Sequence, residues 1–296
     1  MDENMPSSNV TGISAGPARV AMIGHRQVPS WDGMAREVRR YFEVVLEDPN
    51  GEVELADVQA DLVMVFGGDG SILRAARRMG SNQRPIVGIN LGRLGFLADL
   101  SPTAFSESLP HLAMGQYRVV EHLMFQAEIW RGSECLNRRL GLNETAVLAG
   151  EPFSMLDIDL YVDSELVTTY SCDGLIVSTP VGSTAHSLSA GGPILRKELQ
   201  AFVISPISPH TLTMRPVVDA ADRVYEMLVH HPNTGTAVVV DGQQLQHVAA
   251  HDRIRIQRAE PRFQLVEVVG RSYYRTLREK LGWGGRMRRI NEHGAS

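Results

Sequence analysis

The sequence is poor in cysteine, has no surplus of positive charge and contains no long apolar run. Its two cysteines, Cys135 and Cys172, form neither a metal-ligand spacing nor a disulfide framework, which is typical of a protein in a reducing compartment. The formal net charge of −5 disfavours nucleic acid as a partner, because its phosphates select basic surfaces. No apolar stretch approaches membrane-spanning length, and the N-terminus lacks the order of a signal peptide. We therefore expect a cytoplasmic protein with no membrane or nucleic-acid partner.

The chain is long enough, at 296 residues, for two modest domains. Residues 1–17 are polar and aperiodic, which predicts a disordered lead-in. Strand patterns at 19–24, 62–66 and 85–89 then alternate with helical patterns at 31–46 and 72–79. This order predicts an α/β domain with a parallel sheet over residues 18–117, and ligands bind such sheets at the carboxyl ends of their strands.

The pattern changes near residue 118. Apolar and polar residues alternate from there to about residue 270, for example at 125–129, 156–163 and 253–257. Alternation with period two between turn residues predicts half-exposed antiparallel strands, so we expect an all-β domain over residues 118–270. A helix predicted at 274–281 lies in the terminal segment 271–296, which we expect to pack back on the first domain.

A glycine-rich turn follows the strand predicted at 62–66. Its order Gly-Gly-Asp-Gly-Ser lets the backbone approach a ligand closely, and the helix after it presents free amides to phosphate. Asp69 would lie at the opening of the sheet, where a carboxylate is a competent base for a hydroxyl group. A tight turn with Asp69 as helix cap is the alternative, although one glycine would suffice for it. The pattern predicts phosphoryl transfer with Asp69 as the catalytic base. The loop for the donor phosphates is then Gly67, Gly68, Gly70 and Ser71.

This turn resembles the one shared by NAD kinases, diacylglycerol and sphingosine kinases, and phosphofructokinases. Four further segments, in the same order along the chain, resemble NAD kinases: the glycine-punctuated run at 86–97, the Asn-Glu pair at 143–144, the long segment at 172–193 and the Asp-Gly-Gln turn at 241–243. On these motifs the chain is identified as a member of the NAD kinase family. The resemblance implies transfer of a phosphoryl group from ATP to the 2′-hydroxyl of the adenosine ribose of NAD, which gives NADP.

Other acceptors and a loss of activity are the alternatives to this reading. A lipid kinase shares the glycine turn and a β domain, but residues 179–193 and 241–243 argue against it. The additional glycine loop and the Thr-Ile-Asp motif of phosphofructokinases are missing. A dinucleotide sensor without turnover is disfavoured because Asp69 is present. The choices between ATP and polyphosphate as donor, and between NAD and NADH as acceptor, stay open.

The resemblance also implies site residues, a metal and an assembly. His210 would contact the ligand phosphates, and Asn143 with Glu144 would hold the adenosine ribose. Mg²⁺ or another divalent cation is implied with ATP, and no protein ligand is assigned to it because the sequence offers no carboxylate cluster. A homodimer or homotetramer is implied, with a site shared between the domains and a neighbouring subunit. The residues that would contact NAD are Asp69, Gly70, Arg74, Phe96, Asn143, Glu144, Asp173, Thr184, Ala185, His186, Ser187, Leu188, Ser189 and Gln243.

Several of these positions also allow structural roles. Phe96 could be an ordinary core residue, and the pair at 143–144 could form a solvated turn. Arg74 could be a solvated surface residue. Asp241 and Gly242 could form a plain hairpin turn. Ser183 or Thr184 is predicted to cap the short helix that follows them.

Two residues depart from the family pattern. Val181 stands where the family usually has a small hydroxyl residue, and His186 where it usually has tyrosine. His186 could stack on a base or be structural. We expect altered affinity or donor preference with the reaction retained.

Overall fold

The computed structural model describes residues 18–24, 28, 31–92, 95–152, 154–211, 213–268 and 273–282. The lead-in predicted at 1–17 lies outside the described residues, and so do residues 271–272 and 283–296 of the predicted terminal segment. The described residues form 18 strands, arranged in three six-stranded sheets, and five α-helices.

Strands and helices alternate in the first part of the chain, and strands dominate the rest. The first part contains β1 (Arg19–Ile23), α1 (Trp31–Val38), β2 (Glu43–Asp48), β3 (Leu62–Phe66), α2 (Asp69–Met79), β4 (Ile86–Ile89), α3 (Pro102–Ala113) and β5 (Tyr117–His122). The rest contains β6 (Phe125–Arg131), β7 (Glu134–Gly141), β8 (Glu144–Leu148), β9 (Leu156–Val162), β10 (Glu165–Cys172), β11 (Gly174–Ser178), α4 (His186–Ser189), β12 (Ala201–Ile207), β13 (Val217–Ala220), β14 (Tyr225–Val229), β15 (Ala237–Val240), β16 (Gln243–His247), β17 (Arg253–Arg258), β18 (Phe263–Val268) and α5 (Tyr273–Leu281). None of the described helices is long and apolar enough to cross a membrane.

The first sheet has the strand order β2-β1-β3-β4-β18-β5. Strands β1 to β4 and β18 run parallel, and β5 pairs antiparallel at one edge. Alternate residues of β1 serve opposite faces, because Val20 and Met22 pack with α1 and α3 while Ala21 and Ile23 pack with α2. The predicted α/β domain with a parallel sheet is confirmed.

The helix predicted at 31–46 is shorter than expected. Helix α1 ends at Val38, and residues 43–48 form β2, which pairs in parallel with β1. The prediction for the second half of this segment was therefore wrong. A short apolar run fits either helix or strand periodicity, and only the partner strand decides between them.

The first sheet takes strands from both ends of the range predicted as the second domain. Residues 117–122 form β5 and residues 263–268 form β18, which lies between β4 and β5. Their alternating pattern predicted strands correctly, but alternation does not report which sheet a strand joins.

The other two sheets form the second domain. Their strand orders are β10-β9-β14-β17-β6-β7 and β13-β12-β11-β8-β15-β16, and neighbouring strands within both sheets run antiparallel. One apolar cluster fills the space between them, with side chains from both sheets such as Phe125, Tyr225 and Phe202. The predicted all-β domain is confirmed.

The two domains share part of their core. Met124, Leu142 and Val181 come from the second domain, yet they pack in the apolar cluster that α2 forms on the first sheet. Helix α5 lies at the same junction, where Lys280 reaches the Phe96 ring of the first domain and Leu277 is buried. The C-terminal helix therefore returns to the first domain as predicted.

Candidate active site

Asp69 is the first residue of α2, and its side chain holds a neighbouring turn. Gly68 caps the helix without a side-chain hydrogen bond, so the alternative in which Asp69 is a helix cap is wrong. The Asp69 carboxylate instead accepts hydrogen bonds from the backbone N–H groups of Phe96 (2.8 Å), Leu97 (2.9 Å) and Ala98 (2.9 Å). Its orientation is thereby fixed by three donors of rigid backbone.

These hydrogen bonds leave one acceptor position on the Asp69 carboxylate. Oδ1 accepts from Leu97 and Ala98, whereas Oδ2 accepts from Phe96 alone. Because each carboxylate oxygen has two lone pairs, Oδ2 can still accept a hydrogen bond from a hydroxyl group. Gly95 permits this close packing, since a Cβ at that position would lie 2.1 Å from Asp69 Oδ1.

A cleft of about 370 Å³ opens beside the start of α2. It brings together predicted residues from both domains, since the glycine turn and Arg74 face Gln243 of the hairpin between β15 and β16. Arg74 is half-buried in this cleft, so its side chain is only partly exposed to solvent. The lining residues are Gly68, Gly70, Ser71, Leu73, Arg74, Arg77, Asp241, Gly242 and Gln243.

Three arginines gather at this cleft. Arg74 and Arg77 line it from one face of α2. The positive charge of Arg139, in β7 of the second domain, interacts with that of Arg77. Burial lowers the pKa of Arg77, and the positive charge of Arg139 lowers it further, while Asp241 opposes them. Among the described residues, no carboxylate lies within ion-pair distance of these three side chains. Sequence reasoning missed Arg77, although its spacing of three residues from Arg74 places both on one helix face.

Asp241 ties the second domain to the Asn-Glu pair. Its carboxylate accepts hydrogen bonds from the N–H groups of Leu142 (2.9 Å), Asn143 (2.8 Å) and Glu144 (3.2 Å). Asp241 and Gly242 form a hairpin turn with positive φ angles of 47° and 73°. The hairpin alternative is therefore correct, and the same turn also holds the 142–144 loop against the cleft.

Glu144 is a buried carboxyl group with an unused oxygen. Its Oε2 atom is buried and has no hydrogen-bond partner among the described residues, so the alternative of a solvated turn is wrong for this residue. Burial raises the pKa of Glu144 to about 8, the charge of Asp241 raises it too, and the backbone N–H of His186 opposes both. Asn143 beside it is half-buried, and its backbone oxygen accepts from the Thr179 N–H at 2.9 Å.

The segment after β11 lies against this pair. A Cβ at Gly182 would meet the backbone oxygen of Asn143 at 2.1 Å, so glycine allows the two backbones to touch. The predicted helix caps were wrong, because Ser183 and Thr184 donate backwards to the carbonyl oxygens of Pro180 and Val181. Hydroxyl groups this close to preceding carbonyls compete with capping.

The predicted contacts from 184 to 189 differ in exposure. Thr184, Ala185 and Leu188 are half-buried, and Ser189 is exposed. Ser187 is fully buried, with its hydroxyl 3.0 Å from that of Ser205, so it braces α4 against β12.

Two predicted residues lie away from this group. Asp173 and His210 are exposed at one end of β11 and β12, where the Asp173 N–H donates to Ile207 and the His210 N–H donates to Ser171. Glu144 pairs with Ser178 at the other end of β11. Five residues of strand separate these ends by about 17 Å. Within one chain, the structure does not bring Asp173 and His210 to the cleft.

Phe96 links the site to the domain junction. It is half-buried, so the alternative of a core residue is wrong, and its ring lies 5.0 Å from the Lys280 ammonium group. Its backbone oxygen accepts from Lys197 Nζ at 2.7 Å. Sequence reasoning missed Lys197, and no motif marks it.

Comparison with known proteins matches both domains to one family. A model of the ATP-NAD kinase N-terminal domain matches residues 29–117, and one of the ATP-NAD kinase C-terminal domain matches residues 142–268. The NAD kinase of Rhodopirellula baltica is 50% identical over 92% of this chain and 88% of its own length. The chain belongs to the NAD kinase family. The NAD kinase of Geotalea daltonii is 42% identical over 77% of this chain and 80% of its own length.

Solved structures agree with this assignment. The crystal structure of an NAD kinase from Archaeoglobus fulgidus in complex with ATP has a TM-score of 0.73 at 30% identity, over 90% of this chain and all of that one. Yeast NADH kinase complexed with NADH shares the fold, with a TM-score of 0.80 at 21% identity over 95% of this chain and 90% of that one. The reaction of this chain is therefore that of NAD kinases, phosphoryl transfer from ATP to the 2′-hydroxyl of the adenosine ribose of NAD.

The two departures from the NAD kinase pattern have different surroundings. Val181 is buried in the apolar cluster at the domain junction, next to Leu142 and Met124, so its methyl groups contribute to packing there. His186 begins α4 as an exposed residue, which leaves its ring accessible to a ligand.

Proposed function

We propose that Asp69 is the base that accepts the proton of the 2′-hydroxyl of NAD during phosphoryl transfer. One observation carries this role: three backbone donors fix the carboxylate and leave a single acceptor position on Oδ2. Asp69 stands between Gly68 and Gly70, which line the cleft. A base held in this way meets the hydroxyl in one orientation, and its rotational entropy is lost before the substrate binds.

The phosphates of the donor are proposed to bind where α2 begins. This 11-residue helix begins at the cleft, where Gly68, Gly70 and Ser71 line the wall, and an anion at a helix N-terminus is favoured by the helix dipole. Arg74 and Arg77 supply positive charge to the same cleft, and among the described residues neither forms an ion pair, although Asp241 also lines the cleft. Gly67 directly follows β3, so this loop lies at the carboxyl edge of the sheet.

A divalent cation is proposed to arrive with ATP. The part of the chain that the structure describes holds no group of three or more His, Cys, Asp and Glu side chains that could bind a metal. This fits Mg²⁺, which is usually held by substrate phosphates and water with few protein ligands. When bound, the ion would neutralise charge on the transferred phosphoryl group.

The NAD side of the site is proposed to lie between the Asn-Glu pair and α4. Glu144 is protonated at neutral pH in the unliganded chain because its pKa is raised to about 8, so its carboxyl group can donate to a ribose hydroxyl while Asn143 accepts or donates. The remaining proposed contacts surround this point. They are Gly70, Phe96, Thr184, Ala185, His186, Ser187, Leu188, Ser189 and Gln243.

The assembly is proposed to be a homodimer or homotetramer in the cytoplasm. The separation of Asp173 and His210 from the cleft supports a site in which a neighbouring copy supplies these two residues. Two free cysteines support a reducing compartment.

The donor is recognised mainly through its phosphates in this proposal. In the part of the chain that the structure describes, the lining residues of the cleft include two arginines and three glycines but no aromatic side chain on which an adenine could stack. ATP is therefore expected to be replaceable by other phosphate-chain donors, and an assay with ATP and polyphosphate side by side measures the preference.

Replacement of Asp69 by asparagine tests the proposed base. We expect Asp69→Asn to lower kcat by about 10²- to 10⁴-fold in NADP formation from NAD, ATP and Mg²⁺, with the Kd for NAD changed less than about threefold. Asp61→Asn is a matched control, because Asp61 accepts a backbone N–H at an exposed site far from the cleft. A near-native kcat in Asp69→Asn would exclude the proposed base.

A further inference from the structure

One peptide group joins a buried lysine to the proposed base. The C=O of Phe96 accepts a hydrogen bond from Lys197 Nζ at 2.7 Å. The N–H of the same peptide, which belongs to Leu97, donates to Asp69 Oδ1 at 2.9 Å. The ammonium group and the carboxylate therefore act on opposite ends of one planar, conjugated unit.

Lys197 occupies an unusual position for its residue type. It is 8% exposed, and its ammonium group lies 5.6 Å from the centroid of the Tyr273 ring in α5. Tyr273 donates its hydroxyl to the backbone oxygen of Leu195 at 3.0 Å, which fixes this ring beside the lysine. Burial lowers the pKa of Lys197, and the charges of Asp99 and Asp69, then Glu267 and Glu198, oppose this effect. Since a buried ammonium group costs free energy, its retention calls for a function.

We propose that Lys197 is a positioning residue that orients the Asp69 carboxylate through the Phe96–Leu97 peptide. This inference rests on Asp69 as the base of the proposed function. A cation at the C=O polarises the peptide, and a polarised N–H is a stronger donor to the carboxylate. The stronger hydrogen bond holds Oδ1 in place, so that Oδ2, which has the free acceptor position, keeps its orientation as well.

The same contact connects three parts of the molecule. Lys197 follows α4 in the second domain, the 95–98 turn belongs to the first domain, and Tyr273 belongs to the C-terminal helix. The packing of α5 and the contact between the domains therefore influence the orientation of the Asp69 carboxylate. A purely structural lysine would contribute to stability and leave the chemical step unchanged.

Three substitutions at residue 197 separate these roles. We expect Lys197→Met to lower kcat by about 10- to 100-fold with the KM for NAD within about threefold, because the Leu97 N–H becomes a weaker donor and holds the carboxylate less firmly, while the binding residues remain. Lys197→Arg should restore most of the lost kcat, since a guanidinium group also brings a charged donor to the Phe96 oxygen. Lys197→Gln, which keeps a neutral donor, should fall between them and serves if the Met variant yields no folded protein.

Lys280→Met removes an exposed cation that contacts the Phe96 ring but not the peptide, and kcat within twofold of the wild type is expected. A wild-type kcat in folded Lys197→Met or in Lys197→Gln overturns the inference. A loss of kcat that arginine does not restore, with melting temperatures lowered in parallel, also overturns it. Asp69→Asn in the same assay separates the two claims, because a near-native rate there would reject the base itself.

Discussion

Glu144 is a residue whose burial sets its protonation. Its pKa is about 8 in the folded chain against 4.5 for an ordinary glutamate. At pH values between these two pKa values, Glu144 is ionised in the unfolded chain but still protonated in the folded chain. The free energy of unfolding therefore falls as the pH rises. The contribution of Glu144 is complete below pH 4.5 and is lost as the pH approaches 8.

Replacement of Glu144 by glutamine should remove this pH dependence. We expect the unliganded wild type to lose about 2 kcal/mol more than Glu144→Gln between pH 6 and pH 8, at 1.36 kcal/mol for each pKa unit. Urea unfolding of both proteins at the two pH values measures the difference. Equal losses in the two proteins would show that Glu144 ionises normally in the fold.

The residues of the site differ in how far the sequence predicts them. Asp69 and Gln243 lie in motifs that follow strands, and strand ends are where ligands meet such sheets. Arg139 and Lys197 lie outside any motif, and only the fold brings them to Arg77 and Phe96. A pairing between residues far apart in the chain has no local pattern from which to predict it.

The 95–98 turn is an element built to fit one carboxylate. A Cβ at Gly95 would clash with Asp69 Oδ1 at 2.1 Å and with the Ala98 oxygen at 2.9 Å. We expect Gly95→Ala to lower kcat by about 100-fold or more, because the carboxylate must leave its position. Steady-state kinetics on folded protein, checked by circular dichroism, measure the effect.

Gly92 offers a control in the preceding part of the same loop. No atom lies within 4 Å of a Cβ at that position, so Gly92→Ala should keep kcat within about twofold. Equal kinetics in the two alanine variants would contradict the fit between the turn and the carboxylate.

Helix α2 presents its cations to the donor. We expect Arg77→Met to raise the KM for ATP about 10-fold, with the KM for NAD nearly unchanged, because a charge-assisted contact to phosphate is lost. Kinetics at two ionic strengths check this, since the wild type should lose affinity for ATP with salt more steeply than the variant. Arg36→Met on α1 is the control, because among the described residues this arginine donates to a backbone oxygen of its own helix and to no other group.

An unchanged KM for ATP in Arg77→Met, with the KM for NAD raised instead, would contradict the proposed binding of the donor phosphates at α2.

At the scale of the elements, the sequence predicts β3 and α2 well, since the strand is buried on both faces and the helix follows the glycines. It fails at β2, where periodicity is ambiguous, and for the sheet to which β5 and β18 belong.

At the scale of the whole molecule, the position of Asp173 predicts that two inactive variants of the chain restore activity when they assemble with each other. If a neighbouring copy supplies this residue, a mixture of Asp69→Asn and Asp173→Ala chains contains some sites in which both residues are intact. In randomly assembled dimers about half the molecules are mixed, and each restores one of two sites, which gives about one quarter of the wild-type activity.

The measurement is NADP formation at low NAD after the two variants are produced together and the mixed dimers are verified by tagged purification. Each variant alone should be at least about 10-fold below the mixture under these conditions. Activity no higher than the mean of the separate variants would contradict a shared site and place the function of Asp173 within its own chain.

The position of β18 has a consequence for synthesis on the ribosome. β4 forms an edge until residues 263–268 arrive, and β5 pairs with β18. At about 5–20 residues per second, the nascent first domain waits on the order of ten seconds or more with an open edge and an incomplete core. An unpaired edge is a template for aggregation, so this chain depends on rapid elongation or on chaperones that shield β4 until its last strand emerges.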